Sequence, residues 1–276
     1  MTADPTLPTC AVHRDRETRL RCSRCGRAVC DVCLQQEPGW RVCPQCHQEL
    51  AEDGGTDRGQ THRLQASAPL TFGLLLAYGV VYLVGELTGG TPSLVIIEGA
   101  QINDAVMAGQ WWRVLTATML HAGITHLLFN GYALYVLGPQ LERSVGSAAF
   151  AALYAAAGLA GGVAFLFTAP GEVAVGASGA IFGLFGAWFG ASWARRDTPQ
   201  GRAGLSQFGL LLLINLALPL FIPGIAWQAH LGGLLVGLVS GLWWAHLRGT
   251  SSSPGARVLV PALIGLALLV VLLWYT

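Results

Sequence analysis

Residues 173–189 read VAVGASGAIFGLFGAWF, an uncharged run that sets Ser178 among glycines and alanines. Its length, apolarity and lack of charge suit a helix in lipid, where every backbone polar group must be satisfied inside the segment. A serine there is either packing, bonded back to its own helix, or chemistry. Which of the two applies depends on what the rest of the chain places at the same depth.

Outward from this run, comparable apolar stretches occupy 69–88, 124–141, 148–169, 177–194, 205–222, 226–247 and 257–275. Each is about 17 to 22 residues long, enough to cross a bilayer core as a helix. Of the 276 residues 53% are hydrophobic and only 11% charged, and most of the charge precedes residue 64. A soluble domain would be roughly a quarter charged, so from Pro69 onward the chain reads as an all-α polytopic membrane protein of seven spans. The connection 89–120, with Glu98, Asp104 and Arg113 between apolar pieces, is expected to form a structured loop partly inserted in the membrane.

Basic residues in short connections set orientation. Arg58, Arg63, Arg143, Arg195, Arg196, Arg202, Arg248 and Arg257 alternate with nearly uncharged connections. This bias predicts a cytoplasmic N-terminus and an external C-terminus. It also puts the 89–120 loop and the N-terminal ends of spans four and six outside. No apolar signal-type stretch opens the chain, and Ala, Gly and Arg richness suits a bacterial inner (plasma) membrane.

All seven cysteines fall between Cys10 and Cys46, in the pattern C-x2-H-x8-C-x2-C-x4-C-x2-C-x9-C-x2-C. Cys10, His13, Cys22, Cys25, Cys30, Cys33, Cys43 and Cys46 make eight soft or borderline ligands, enough for two closed tetrahedral zinc sites. Residues 1–50 hold few large apolar side chains, so metal is expected to stand in for a core. His47 is the alternative eighth ligand, and redox-active CxxC pairs are the alternative chemistry. An open catalytic zinc is disfavoured because eight ligands close both sites. Residues 51–68 are polar and Gly-containing, as in a flexible linker, which separates the 1–50 domain from the 69–276 membrane domain. Arg14, Arg16, Arg19, Arg21, Arg24 and Arg27 are balanced by Asp15, Glu17 and Asp31, so a solvated face is favoured over nucleic-acid or anionic-lipid binding.

Polar residues inside a span are functional candidates by default. His126 and Asn130 lie at i and i+4 near the start of span two, Ser178 near the start of span four and His230 near the start of span six. All four share one depth below the outer surface if the three helices run the same way. Gly179 and Gly183, and Gly233, Gly237 and Gly241, are spaced four apart, a pattern that lets helices approach closely. A hydroxyl and an imidazole brought together in this way are a nucleophile and its general base.

The cysteine pattern resembles a B-box-type zinc finger, which implies that Cys10, His13, Cys30 and Cys33 share one ion and Cys22, Cys25, Cys43 and Cys46 the other. In the membrane part, Trp112-Arg113, HAGITHLLFN (His121–Asn130), LERSVG with Glu142, GASGAIFG around Ser178 and AHLGGLLVG around His230 resemble, in order, a rhomboid intramembrane serine protease. That resemblance implies a six-helix bundle with an appended seventh helix. It makes Ser178 the nucleophile and His230 its base in a dyad without a third acidic member, with His126, Asn130 and the Ser178 N–H stabilising the oxyanion. Trp112, Arg113, His121, Glu142, Gly233 and Gly237 then belong to loop and structural motifs. The implied substrates are single-span membrane proteins with helix-destabilised transmembrane segments, and catalysis needs no cofactor. The zinc domain is expected to bind a cytoplasmic protein partner, to promote self-association or to tune the protease. The competing readings are a catalytically silent client-binding protein and a transporter.

Overall fold

The computed structural model describes residues 7–23, 25–37, 40–53, 68–90, 93–247 and 254–276. The chain divides into two compact units, Met1–Ala66 and Ser67–Thr276.

In the first unit an antiparallel hairpin, β1 (Gln35–Glu37) and β2 (Trp40–Val42), pairs Gln35 with Val42 and leads into helix α1 (Pro44–Asp53). Its buried cluster consists of six cysteines with only Val29 and Val42, and Leu34 packs on it half-buried. So little hydrocarbon cannot hold a domain of this size, and sulfur occupies the place of a core. Helix α1 continues through 51–53, the first part of the expected linker. The rest of that linker, 54–67, lies outside the described residues, as do Arg24, Arg58, Arg63 and Arg248.

Among the described residues, the second unit contains seven long helices where the apolar runs predicted them. They are α2 (Pro69–Leu87), α6 (Ile124–Val145), α7 (Ser147–Thr168), α8 (Ser178–Trp193), α9 (Pro199–Ala217), α10 (Trp227–Leu247) and α11 (Pro254–Tyr275). Five are long and apolar enough to cross a membrane. The other two are α6, which carries His126, Asn130 and Glu142, and α8, which has 16 residues. At 1.5 Å per residue α8 is about 24 Å long, short of a hydrocarbon core of about 30 Å. Helix α9 starts six residues before the predicted position: Thr198 Oγ1 accepts from the Gly201 N–H at 3.0 Å and Pro199 occupies the first turn, a start signal that hydropathy alone overlooks.

The predicted loop is indeed structured. It contains α3 (Leu94–Gly99), β3 (Gln101–Ile102), α4 (Asn103–Met107), α5 (Arg113–Thr116) and a 3₁₀ turn at Ala117–Met119. Strand β3 pairs antiparallel with β4 (Val173–Ala174) in the segment leading to Ser178. Asn103 Nδ2 donates to the carbonyls of Phe165 and Ala169 (3.2 and 2.7 Å), and Gln101 Nε2 to that of Gly162 (2.8 Å). These buried amides tie the loop to α7, adding a second bond to the Phe165 and Ala169 carbonyls, which the Ala169 and Glu172 N–H groups already reach.

Two further devices set the bundle. Glu142 is buried, and its carboxylate accepts from the Leu70 N–H (3.1 Å), the Thr71 N–H (2.9 Å), Thr71 Oγ1 (2.8 Å) and Ser147 Oγ (2.6 Å). It thus caps α2 and reaches the first residue of α7, where helix dipoles favour negative charge. On α11, Pro261 has no N–H and leaves the Arg257 carbonyl without its helical donor; Trp244 Nε1 of α10 donates to that carbonyl at 2.8 Å. At the far end of α11, Leu272 is fully buried with Val106 and Val114 of the loop and Leu159, Val163 and Leu166 of α7.

Candidate active site and metal centres

Helices α8 and α10 meet backbone to backbone. A Cβ added to Gly233 would run into the Gly179 carbonyl, one on Gly237 into that of Gly183, and one on Gly241 into that of Ala187. Helix α7 joins the same contact, since a Cβ on Gly161 would lie 2.8 Å from the Ala229 carbonyl. Small residues permit this approach, and dispersion between the closely packed backbones holds it.

This register fixes the candidate chemistry. Ser178 is the first residue of α8 and immediately precedes Gly179, while His230 sits one turn before Gly233, so both lie at the same end of the helix pair. His230 is buried, and its ring stacks on Phe182, one turn beyond Ser178, with centroids 4.1 Å apart and planes 9° from parallel. His230 Nδ1 is buried without a hydrogen-bond partner. No hydrogen bond links Ser178 to His230 among the described residues; in unliganded active sites such contacts are often long.

The third helix arrives through Gly176. There φ is +130°, a conformation open to glycine, and a Cβ would lie 2.6 Å from His126 Cε1 and 2.8 Å from Nε2. The imidazole of His126 therefore rests against the backbone two residues before Ser178. His126 Nδ1 accepts from the Ala122 N–H at 3.4 Å, which leaves the proton of the neutral ring on Nε2, the nitrogen facing Gly176. Asn130 is buried and spends one amide N–H on the His126 carbonyl, 2.9 Å away. The Ile181 N–H makes its bond to Ala177 O at 3.0 Å, so the amides of 178–180 have no helical acceptor and present a positive helix end.

The remaining motif residues surround this cluster. Arg113 is buried in the loop and donates to the carbonyls of Ile97 (2.8 Å) and Ala100 (3.0 Å) and to Gln110 Oε1 (2.6 Å). Trp112 is 44% exposed, a wedge at the loop surface rather than a core residue. His121 packs between Tyr78 and His126, at ring-centroid distances of 5.0 and 5.2 Å. The sequence reading missed Phe182, the Ala122 N–H, strand β4 and the seat that Gly176 gives the His126 ring. Only Phe182 carries a local signal, its i+4 spacing from Ser178.

In the first unit, Cys10, His13, Cys30 and Cys33 form one potential metal-binding group and Cys22, Cys25, Cys43 and Cys46 another, with all ligand atoms of a group within 4.8 Å of one another. These are the pairings that the B-box resemblance implies, and Cys46 rather than His47 completes the second. Cys25 Sγ and Cys43 Sγ are 3.8 Å apart, the edge of a tetrahedron whose metal–sulfur bonds are about 2.3 Å. Burial and the neighbouring thiols push Cys33 up to about 11 and Cys46 to about 12. Burial acts upward on Cys10 too, but backbone N–H donors of His13, Cys30 and Val12 outweigh it and hold that thiol near 6. The donor set fits a thiophilic divalent ion, and the backbone donors favour the thiolate such an ion requires.

A family model described as the Rhomboid domain matches residues 108–248, about half of the chain and all the candidate active-site residues. The chain belongs to the rhomboid family. The rhomboid match leaves out both the Cys-rich unit and α11. Among curated relatives, "Rhomboid protease GluP" of Bacillus subtilis is 33% identical over 198 residues, covering 71% of this chain and 38% of the relative. "Putative rhomboid protease YdcA" of the same bacterium is 39% identical over 172 residues, 62% of this chain and 86% of the relative. "RHOMBOID-like protein 9, chloroplastic" of Arabidopsis thaliana is 34% identical over 172 residues, with 61% and 39% covered. The rhomboid part of this chain thus spans nearly all of one bacterial relative and well under half of the other two.

Proposed function

We propose that this rhomboid protein is an intramembrane serine endopeptidase. The observation that carries the reading is the α8–α10 register, which brings Ser178 and His230 to one helix end with His126 against the preceding backbone. Ser178 Oγ attacks the scissile carbonyl as His230 takes its proton. The oxyanion is met by the Ser178 N–H, by His126 Nε2–H and by the second amide N–H of Asn130, donors that gain strength where water is scarce. His230 then protonates the leaving amine, and water attacks the acyl-enzyme by the same base. The stack on Phe182 does the orienting that a third acidic residue does in a triad.

The peptide bond cut lies in or beside the transmembrane helix of a single-span substrate. That helix must unwind, because its amides are otherwise bonded internally, so segments with small or helix-breaking residues are preferred. By the basic-residue bias the N-terminal unit is cytoplasmic and the site opens outward, in a bacterial inner membrane. The two Cys/His groups hold structural zinc, and the finger they build engages a cytoplasmic protein.

Purified full-length protein is expected to cleave a model transmembrane substrate, and Ser178→Ala to abolish the cleavage. Equal cleavage by the variant refutes the serine mechanism. A wild-type protein that binds the substrate without cutting it supports the silent client-binding reading. Unlabelled Ser178 under a fluorophosphonate, with transport altered by His230 substitution, supports the transporter.

A further inference from the structure

Helix α11 lies outside the 108–248 match to the rhomboid family, and of its own residues it buries only Pro261 and Leu272. Leu263, Leu266 and Val270 are more than half exposed and Trp274 is 84% exposed, a face suited to lipid. Lipid tails are as apolar as leucine, so apolarity alone gives Leu272 no reason to leave them; its full burial reflects packing. What it packs with is the surface loop, for Leu272 shares a buried cluster with Val106 of α4 and Val114 of α5. Three residues on, Tyr275 meets the edge of Phe167 on α7, with ring centroids 5.3 Å apart.

The same loop holds the segment that enters α8. Strand β3 pairs with β4, the Asn103 N–H donates to the Glu172 carbonyl at 3.2 Å, and the Ala117 carbonyl accepts from the Gly176 N–H at 2.9 Å. Val106 follows the first two attachments along the chain and Val114 precedes the third, so Leu272 is seated between them. Gly176 is also the residue against which the His126 ring rests, two positions before Ser178. The cluster of Leu272 is separate from the one that contains Ala177 and Ala180 beside Ser178. Its route to the serine therefore runs through the loop.

We propose that Leu272 is a positioning residue for the candidate active site: it seats the loop, and the loop in turn keeps Gly176, the His126 ring and Ser178 in register. A helix outside the family match thus sets whether the site is ready to react. The inference rests on the reading of Ser178 as nucleophile.

The test joins hydrogen exchange by mass spectrometry to two rates, all on the full-length protein in mild detergent below its unfolding midpoint. Leu272→Ala leaves a void under the loop, and exchange is expected to quicken in 94–119 and 171–177 but not in α9. The rate of fluorophosphonate labelling at Ser178 and kcat on a transmembrane substrate should both fall about tenfold, with KM within about twofold, because a small misplacement of reacting groups acts on the rate. Leu272→Met, which nearly conserves volume, should restore both rates, and Leu273→Ala, on the exposed side of α11, should change neither. If Leu272→Ala does not fold, Leu272→Val makes the same comparison with a smaller void. Unchanged labelling and kcat overturn the proposal, and so does exchange that quickens equally in α9, which marks general loosening. Failure of the wild-type protein to label at Ser178 would instead overturn the nucleophile assignment, while the exchange data still decide whether Leu272 seats the loop.

Discussion

Gly233 of α10 lies against the carbonyl of Gly179 with no room for a single added carbon. The same holds for Gly237 over Gly183, and here the obstacle is backbone, which cannot swing aside. Gly233→Ala and Gly237→Ala are each expected to destabilise the bundle by about 1–3 kcal/mol and to abolish proteolysis by separating Ser178 from His230. The check is a denaturant midpoint in mild detergent beside a cleavage assay. Gly209→Ala, whose nearest neighbour is a Phe189 ring atom at 3.8 Å, should change neither.

The two oxyanion candidates should differ in weight. The Nε2 of His126 faces Gly176, whereas Asn130 already donates to the His126 carbonyl. His126→Ala is expected to reduce kcat about 10²-fold with little change in KM, and Asn130→Ala by less. Equal losses of kcat would refute the difference in weight, and effects on KM alone would show that neither donor acts selectively on the transition state.

Glu142 accepts four hydrogen bonds at the ends of two helices. Glu142→Gln keeps one acceptor oxygen, turns an N–H₂ toward donors and discharges the site. A loss of about 2–3 kcal/mol follows, measurable as a shift of the unfolding midpoint, with residual activity falling in proportion to the folded fraction.

Trp244 and Pro261 should be coupled. Trp244→Phe leaves the Arg257 carbonyl without a donor and is expected to cost about 1 kcal/mol. In a Pro261→Ala background the restored helical N–H takes that carbonyl, so the same substitution should cost much less. Additive effects in this double-mutant cycle would remove the indole's assigned role.

Metal analysis of the intact chain should give two zinc per molecule, and one would refute the two-site reading. Chelation should unfold the N-terminal unit while the membrane unit keeps its helicity. The sites take thiolates, so protons compete with metal and affinity falls as pH falls. A chromophoric chelator should therefore strip zinc faster at pH 5 than at pH 8.

How much of this was legible depends on how locally each signal is written. Long uncharged runs yield seven helices because lipid removes the ambiguity that water allows, and paired cysteines yield two metal groups because ligand spacing is a short-range property. The shared end of Ser178, His230 and His126 follows from helix direction plus two Gly-x3-Gly faces. The start of α9 at Pro199 is a capping signal hidden under the charge of Arg202. The cap that Glu142 makes on Leu70 and Thr71 spans more than seventy residues of sequence, and the indole of Trp244 on the Arg257 carbonyl depends on a helix crossing. Neither leaves a trace in local pattern. Packing around Phe182 and Gly176 belongs to the same class.

The two-residue pairing of β3 with β4 ties the surface loop to the segment that delivers Ser178. Gln101 and Ile102 sit on one side of that ladder, and the other side reaches the serine four residues after Ala174. A displacement of the loop is resisted, through these backbone hydrogen bonds, by the segment that positions Ser178. The surface loop and Ser178 are in this sense mechanically one piece.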